Sequence, residues 1–304
     1  MQYILETINL KKNYGKFNIL KDLNMHITKG AIYGFIGKNG AGKTTLIRII
    51  CGLQKPTSGS YSIYGILNNN KKIIESRKKI GAIIESPSIC LDMSAKDNLI
   101  LQNKIIGVHN DKNVDDILKL IGLENTGTKK AKNFSLGMRQ RLAIGVALVG
   151  NPKFLILDEP INGLDPEGII EIRNLILRLN KENNITFLIS SHYLDELSKI
   201  ATCYGFINEG KIVKEINRED LEKELHQKIR INVDNLQICE NYLNDNKLEY
   251  KIISETLVDI YSNSNISKLI IELSKLNCNV NGIQENGESL ENYYLSLIGD
   301  TKNE

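Results

Sequence analysis

Gly37-Lys38-Asn39-Gly40-Ala41-Gly42-Lys43-Thr44 decides the fold. The octapeptide fits G-x-x-x-x-G-K-[ST]. The apolar run Ala31-Ile32-Tyr33-Gly34-Phe35-Ile36 before it predicts a buried strand, and Thr45-Leu46-Ile47-Arg48-Ile49-Ile50 after it predicts the start of a helix. In that setting each fixed position has a chemical reason. Glycines let the backbone curl so that successive N–H groups point inward at phosphate oxygens. Lys43 is placed to reach the β/γ-phosphates, and the Thr44 hydroxyl to ligate Mg²⁺. The N-terminus of the following helix also favours anions. These residues imply nucleotide binding.

Outward from this loop, strand and helix patterns alternate. Apolar runs at 79–84, 154–157, 185–189 and 203–207 read as further buried strands. Helical patterns follow Lys43, Asp97, Val114, Leu136, Glu167 and Tyr193. Alternation of this kind predicts an α/β domain on a largely parallel sheet. Upstream, 3–10 and 19–27 alternate with period two around Tyr14-Gly15-Lys16, which predicts a small antiparallel sheet. Ile207-Asn208-Glu209-Gly210-Lys211-Ile212-Val213 reads as a hairpin with Glu209-Gly210 in the turn. A boundary follows near Asn217, dividing the chain into 1–217 and 218–304. The second part reads as a small α+β module. It has helices at 219–227, 266–276 and 290–297, and strands at 228–233, 250–253 and 257–262. No nucleotide motif recurs in it.

Phe154-Leu155-Ile156-Leu157-Asp158-Glu159 is an apolar strand ending in two carboxylates. Asp158 is placed to hold Mg²⁺. Glu159, one residue beyond the strand, is placed to polarise a water for in-line attack on the γ-phosphate. Before it comes Asn133-Phe134-Ser135-Leu136-Gly137-Met138-Arg139-Gln140-Arg141-Leu142, a helix start with Ser135 as cap and Gly137 allowing close backbone approach. After it come Asn162-Gly163-Leu164-Asp165-Pro166 and Ser190-Ser191-His192.

In this order, the motifs make residues 1–217 resemble the nucleotide-binding subunit of an ABC transporter. The resemblance implies an α/β P-loop ABC-type domain, with a mostly parallel sheet, an antiparallel subdomain and a helical subdomain. Tyr14 matches the aromatic residue that stacks on adenine. Gly37, Asn39, Gly40, Ala41, Gly42, Lys43, Thr44 and Thr45 match the Walker A loop. Ser135 and Gly137 belong to the signature, Asp158 and Glu159 to Walker B, Asp165 to the D-loop, and His192 is the switch histidine. It further implies ATP and Mg²⁺ as cofactors and a head-to-tail dimer of two copies, in which each ATP lies between one P-loop and the other copy's signature. An integral-membrane permease subunit is the implied partner, and the inner face of the cell membrane the implied location.

Two positions depart from the family pattern. The signature reads Phe134-Ser135-Leu136-Gly137-Met138 where Leu-Ser-Gly-Gly-Gln is usual. The strand 80–84 runs into Glu85 where a metal-sensing glutamine is usual. Glu85 is therefore expected as a further metal contact with a catalytic role. It is also the residue that makes the chain resemble the bacitracin- and lantibiotic-type exporters conferring resistance or self-immunity. Ser289-Leu290-Glu291-Asn292-Tyr293-Tyr294-Leu295 is similar to a Leu-Glu-aromatic helix near the end of those subunits. The alternatives are another transporter's ATPase, whether importer or unrelated exporter, and a non-transport ABC protein. The last usually fuses two P-loop domains or inserts a long coiled coil, and this chain does neither.

Composition sets the remaining limits. Charged content of 25% and hydrophobic content of 41% suit a packed globular chain, and no apolar run reaches a membrane-spanning length. The N-terminus, Met1-Gln2-Tyr3-Ile4-Leu5-Glu6, lacks signal-peptide features. A net charge of +3 hides an asymmetry of +10 over 1–217 and −7 over 218–304. The basic excess suits a polyanionic nucleotide. No basic stripe with interleaved aromatics points to nucleic acid. The five cysteines, Cys51, Cys90, Cys203, Cys239 and Cys278, have no metal-ligand spacing and are expected as buried or inert thiols. His26, His109 and His226 belong to no constellation.

Overall fold

A computed structural model describes residues 2–108, 112–225, 227–261, 266–287 and 289–300, so His109 and His226 lie outside the described residues. The chain divides into two compact units, one ending at Arg218 and one beginning at Glu219.

The first unit opens with the expected antiparallel hairpin, β1 (Tyr3–Tyr14) and β2 (Phe17–Thr28), with Tyr14 opposite Phe17 at the turn. Then come β3 (Ile32–Ile36), α1 (Lys43–Ile50), β4 (Ser58–Ile63), β5 (Ile66–Leu67), α2 (Ile73–Arg77) and β6 (Ile80–Ile83). A helical segment follows, with α3 (Ala95–Ile105), α4 (Lys112–Leu120) and α5 (Leu136–Leu148). The chain returns through β7 (Phe154–Asp158), α6 (Pro166–Asn183), β8 (Thr186–Ser191), α7 (Leu194–Ser198), β9 (Cys203–Asn208) and β10 (Lys211–Asn217).

Two sheets result. One has the order β2-β1-β4-β5, all antiparallel. The other has the order β10-β9-β3-β8-β7-β6, parallel from β9 to β6, with β10 antiparallel at the edge. Every residue of β3, β7 and β8 is buried. That is why these strands read as unbroken apolar runs rather than alternating ones. Leu46, Ile47, Ile49 and Ile50 of α1 share one core with Phe35, Phe154 and Leu188 of the parallel sheet and Leu10, Leu20, Leu23 and Met25 of the antiparallel one. Each such side chain contributes about 1.5–3 kcal/mol on burial, so α1 and the loop before it are anchored from two sides.

The β9–β10 hairpin turns on Glu209 and Gly210, both with positive φ (46° and 82°), as a two-residue turn matched to strand twist requires. It also braces the loop of residues 37–44. The Gly210 N–H donates to Ala41 O at 3.1 Å, and Gly210 O accepts from the Lys21 N–H at 2.8 Å.

The second unit holds α8 (Arg218–Glu224, whose first residue ends the first unit), β11 (Gln227–Val233), α9 (Leu236–Asp245), β12 (Glu249–Ile252), β13 (Leu257–Tyr261), α10 (Ile266–Lys275), β14 (Val280–Gly287) and α11 (Leu290–Asp300). The order β12-β13-β11-β14, all antiparallel, makes 227–287 a split βαβ arrangement. This is fuller than the sequence reading, which missed α9 and β14. The expected helix at 219–227 ends at Glu224, and Gln227 already belongs to β11. Its core joins Ile229, Ile231 and Val233 to Leu243, Val258, Ile260, Leu269 and Leu273.

All five thiols are free. Burial pushes Cys51 and Cys239 up to about 12 and Cys203 up to about 11, so these stay protonated and inert. Cys90 is exposed. No helix among the described residues is long and apolar enough to cross a membrane.

Candidate functional site

The loop between β3 and α1 is shaped by its glycines. Gly42 caps α1 at φ 109°, and a Cβ there would stand 2.7 Å from Leu20 Cδ2. A Cβ on Gly37 would stand 2.4 Å from Ile207 Cγ2. Gly42 is thus required by conformation and Gly37 by close packing. Asn39 and Gly40 are exposed at the tip, while Ala41 is buried. The first turn of α1, Lys43, Thr44 and Thr45, carries no acidic residue. No acidic side chain there competes for the unpaired backbone N–H groups of the helix start.

The Lys43 side chain is nearly buried. Its Nζ donates to Gly37 O at 2.6 Å and Lys38 O at 3.3 Å, and lies 3.8 Å from Glu159 Oε1. Burial lowers the pKa of this ammonium, and the charges of Glu159 and Asp158 oppose the shift.

Thr44 reaches across to β7, where its Oγ1 donates to Asp158 Oδ2 at 2.8 Å. The other Asp158 oxygen accepts from the hydroxyl of Ser190 on β8. Glu159 follows at φ 51°, an uncommon backbone region for a residue with a side chain. Its N–H donates to Ser190 O at 3.1 Å and Ser190 Oγ at 3.0 Å. Its Oε2 accepts from the His192 backbone N–H at 3.3 Å and lies 2.8 Å from His192 Nδ1. The ring of Tyr193 sits 4.2 Å from that of His192, centre to centre.

Lys43, Thr44, Asp158, Glu159 and His192 thus meet in one place, as their positions in the sequence predict. Ser190 was missed as a participant. The available signal was a pair of small hydroxyl residues ending an otherwise apolar strand.

Other expected residues lie elsewhere. Tyr14 is 43% exposed at the β1–β2 turn; its hydroxyl donates to Gln54, and Lys12 Nζ lies 4.9 Å from its ring centre. Ser135 caps α5, accepting from Met138 N–H at 3.2 Å. Gly137, buried in the first turn of α5, lies beside α6, where a Cβ would meet Gly168 Cα at 3.7 Å. Leu136, the signature departure, packs toward Gly163. Asp165 caps α6 by accepting from Gly168 N–H at 3.1 Å.

Glu85, expected in the metal set, lies in the bend just past β6. Its carboxylate accepts from Arg48 Nη2 at 2.7 Å. Arg48 lies one turn along α1 from Thr44, at a position the loop motif does not include. His26, given no role by the sequence, pairs with Glu215 at 2.9 Å and ties β2 to β10.

Comparison with known proteins now bears on this geometry. The family pattern described as "ABC transporter" matches residues 20–162. The bacitracin transport ATP-binding protein BcrA of Bacillus licheniformis is 39% identical, over 98% of each chain. The chain belongs to the ATP-binding subunits of ABC transporters. The lantibiotic transport ATP-binding protein SrtF of Streptococcus pyogenes is 45% identical over 70% of this chain and 90% of its own length. Among solved structures, the dimeric post-hydrolysis cassette MJ0796 bound to ADP and Pi has a TM-score of 0.62 at 26% identity, covering 70% of this chain and 98% of that one. As a member of this family the protein is an ATPase: it binds ATP and hydrolyses it.

Proposed function

We propose that this ATPase powers a separate membrane permease that exports or clears a peptide antibiotic of the bacitracin type. The observation carrying this reading is the reach of the likeness. The bacitracin transport subunit aligns across the second unit as well as the first, over 98% of both chains. The lantibiotic transport subunit aligns over 70% of this chain. A cargo of the bacitracin type is therefore favoured over a lantibiotic.

In this reading, two copies associate head to tail, and each ATP is held by the loop of one and by Ser135 and Gly137 of the other. Tyr14 stacks on the base. Lys43 and the α1 N–H groups bind the β/γ-phosphates. Thr44 and Asp158, already in contact, form a donor set suited to a hard cation with oxygen ligands. Magnesium held there offsets charge on the phosphates. Glu159 takes a proton from the attacking water, His192 fixes its carboxylate, and Asp165 shapes the loop toward the second copy. For Glu85, the Arg48 pair favours a role at the permease contact over direct metal ligation. The permease holds the protein at the cytoplasmic membrane face.

The test is genetic. The gene is expressed with its permease in a sensitive host, and susceptibility to bacitracin and to a lantibiotic is measured beside Glu159→Gln. Bacitracin resistance lost in the variant supports the reading. Protection against the lantibiotic alone overturns the cargo, and protection against neither overturns the export role.

A further inference from the structure

We propose that Ser190 is a positioning residue for ATP hydrolysis, its hydroxyl linking the Asp158 carboxylate to the Glu159 backbone and so setting where both acidic side chains point. The proposal rests on reading Glu159 as the general base.

A serine hydroxyl has one hydrogen and two lone pairs. At Ser190 the hydrogen goes to Asp158 Oδ1, because an ionised carboxylate only accepts. A lone pair then takes the Glu159 N–H at 3.0 Å. The Ser190 carbonyl shares that N–H at 3.1 Å. Ser190 is fully buried and Asp158 is 4% exposed, so water is a poor substitute for the hydroxyl. The second Asp158 oxygen is held by Thr44. Removing the Ser190 hydroxyl therefore leaves one oxygen of a buried carboxylate unpaired and that side chain held from one side only.

The effect on Glu159 runs through its backbone. A residue held at φ 51° persists only where neighbouring groups fix it, and here both acceptors of its N–H belong to Ser190. Ser190 lies in β8 and His192 just past its end. One takes the N–H of Glu159 and the other its carboxylate. Glu159 is thereby held at its backbone by the end of β8 and at its carboxylate by the residue that follows.

The experiment compares the full-length wild type with Ser190→Ala, Ser190→Thr, Glu159→Gln and the Ser190→Ala/Glu159→Gln double variant. It measures kcat, KM for ATP, equilibrium ATP affinity and thermal midpoint. Ser190→Ala is expected to lower kcat about tenfold, with KM and ATP affinity within about twofold of wild type. Ser190→Thr keeps the hydroxyl and is expected to recover most of the kcat lost in Ser190→Ala, per folded molecule. The double variant is expected to bind ATP within about twofold of Glu159→Gln alone, because the hydroxyl orients the two acidic residues and does not hold the nucleotide. Wild-type kcat in Ser190→Ala overturns the proposal. So does an equal loss of kcat and ATP affinity that follows a fall in folded fraction. Turnover surviving in Glu159→Gln overturns the base reading itself, whatever Ser190→Ala does, and removes the Glu159 half of the proposal with it.

Discussion

His192 Nδ1 stands 2.8 Å from Glu159 Oε2, so the residue just past β8 grips the carboxylate just past β7. The contact follows from register. Parallel pairing sets Asp158 beside Ser190, and Glu159 and His192 follow one and two residues beyond that pair.

Glu159→Gln is expected to stop turnover while keeping ATP binding, because an amide cannot take the proton of the attacking water. Reopening then fails, and an ATP-bound dimer accumulates. Size-exclusion chromatography with ATP and Mg²⁺ checks this. A variant that elutes as a monomer while the wild type hydrolyses ATP speaks against the paired mechanism.

Lys43 gives a prediction with a sign. Its pKa is lowered by burial below the ordinary 10.5, so the unfolded chain binds the extra proton more readily. The cost of holding the ammonium in the fold is fully present below the folded value, and it fades as pH rises toward 10.5. Without nucleotide, the thermal midpoint of wild type relative to Lys43→Met is expected to rise between neutral pH and that value. Lys43→Met should also lose ATP affinity, measured by equilibrium titration. A difference in midpoint that is flat with pH counts against the buried-charge account.

The sequence revealed the site better than the second unit, for physical reasons. β3, β7 and β8 are fully buried, so each appears as an apolar run that no surface residue interrupts. The polar groups of the candidate site cluster at their ends, where the apolar pattern stops. β4 reads Ser58-Gly59-Ser60-Tyr61-Ser62-Ile63 and buries only Tyr61 and Ile63, too little for a pattern to stand out. β14 contains Gly282 and Gly287 and few apolar residues, and it is a strand because β11 pairs along it. α9 buries only Cys239 and Leu243, although its cap Asn235 was a legible start signal. The Arg48–Glu85 pair joins residues from two elements, and no local spacing encodes it.

Deleting 219–304 is expected to leave a folded ATP-binding unit. Every motif residue precedes the cut, and the core of the second unit is built from its own residues, such as Ile231, Val258, Ile260 and Leu269. Thermal unfolding and ATP titration of the shortened chain check this. Loss of nucleotide affinity would mean that the two units are not independent.

Glu85 offers the last prediction, because its surroundings separate chemistry from coupling. Its carboxylate pairs with Arg48 at 2.7 Å, with side-chain exposures of 59% and 37%, and an exposed pair of this kind is worth about 0–1 kcal/mol. Glu85→Gln should therefore barely move the thermal midpoint. Glutamine keeps a carbonyl oxygen where the carboxylate stood, so basal ATP hydrolysis by the isolated protein should stay within a few-fold of normal. The effect is expected where the permease is present. Glutamine presents no charge to a basic partner and holds Arg48 by a hydrogen bond alone, so antibiotic resistance in permease-bearing cells should fall more than hydrolysis does. Glu85→Ala should lower resistance further, since it removes the hydrogen-bonding group as well. ATPase and resistance assays on the same variants decide between the roles. A collapse of basal hydrolysis in Glu85→Gln would return the residue to the metal site, and wild-type behaviour in both assays would leave it a surface carboxylate.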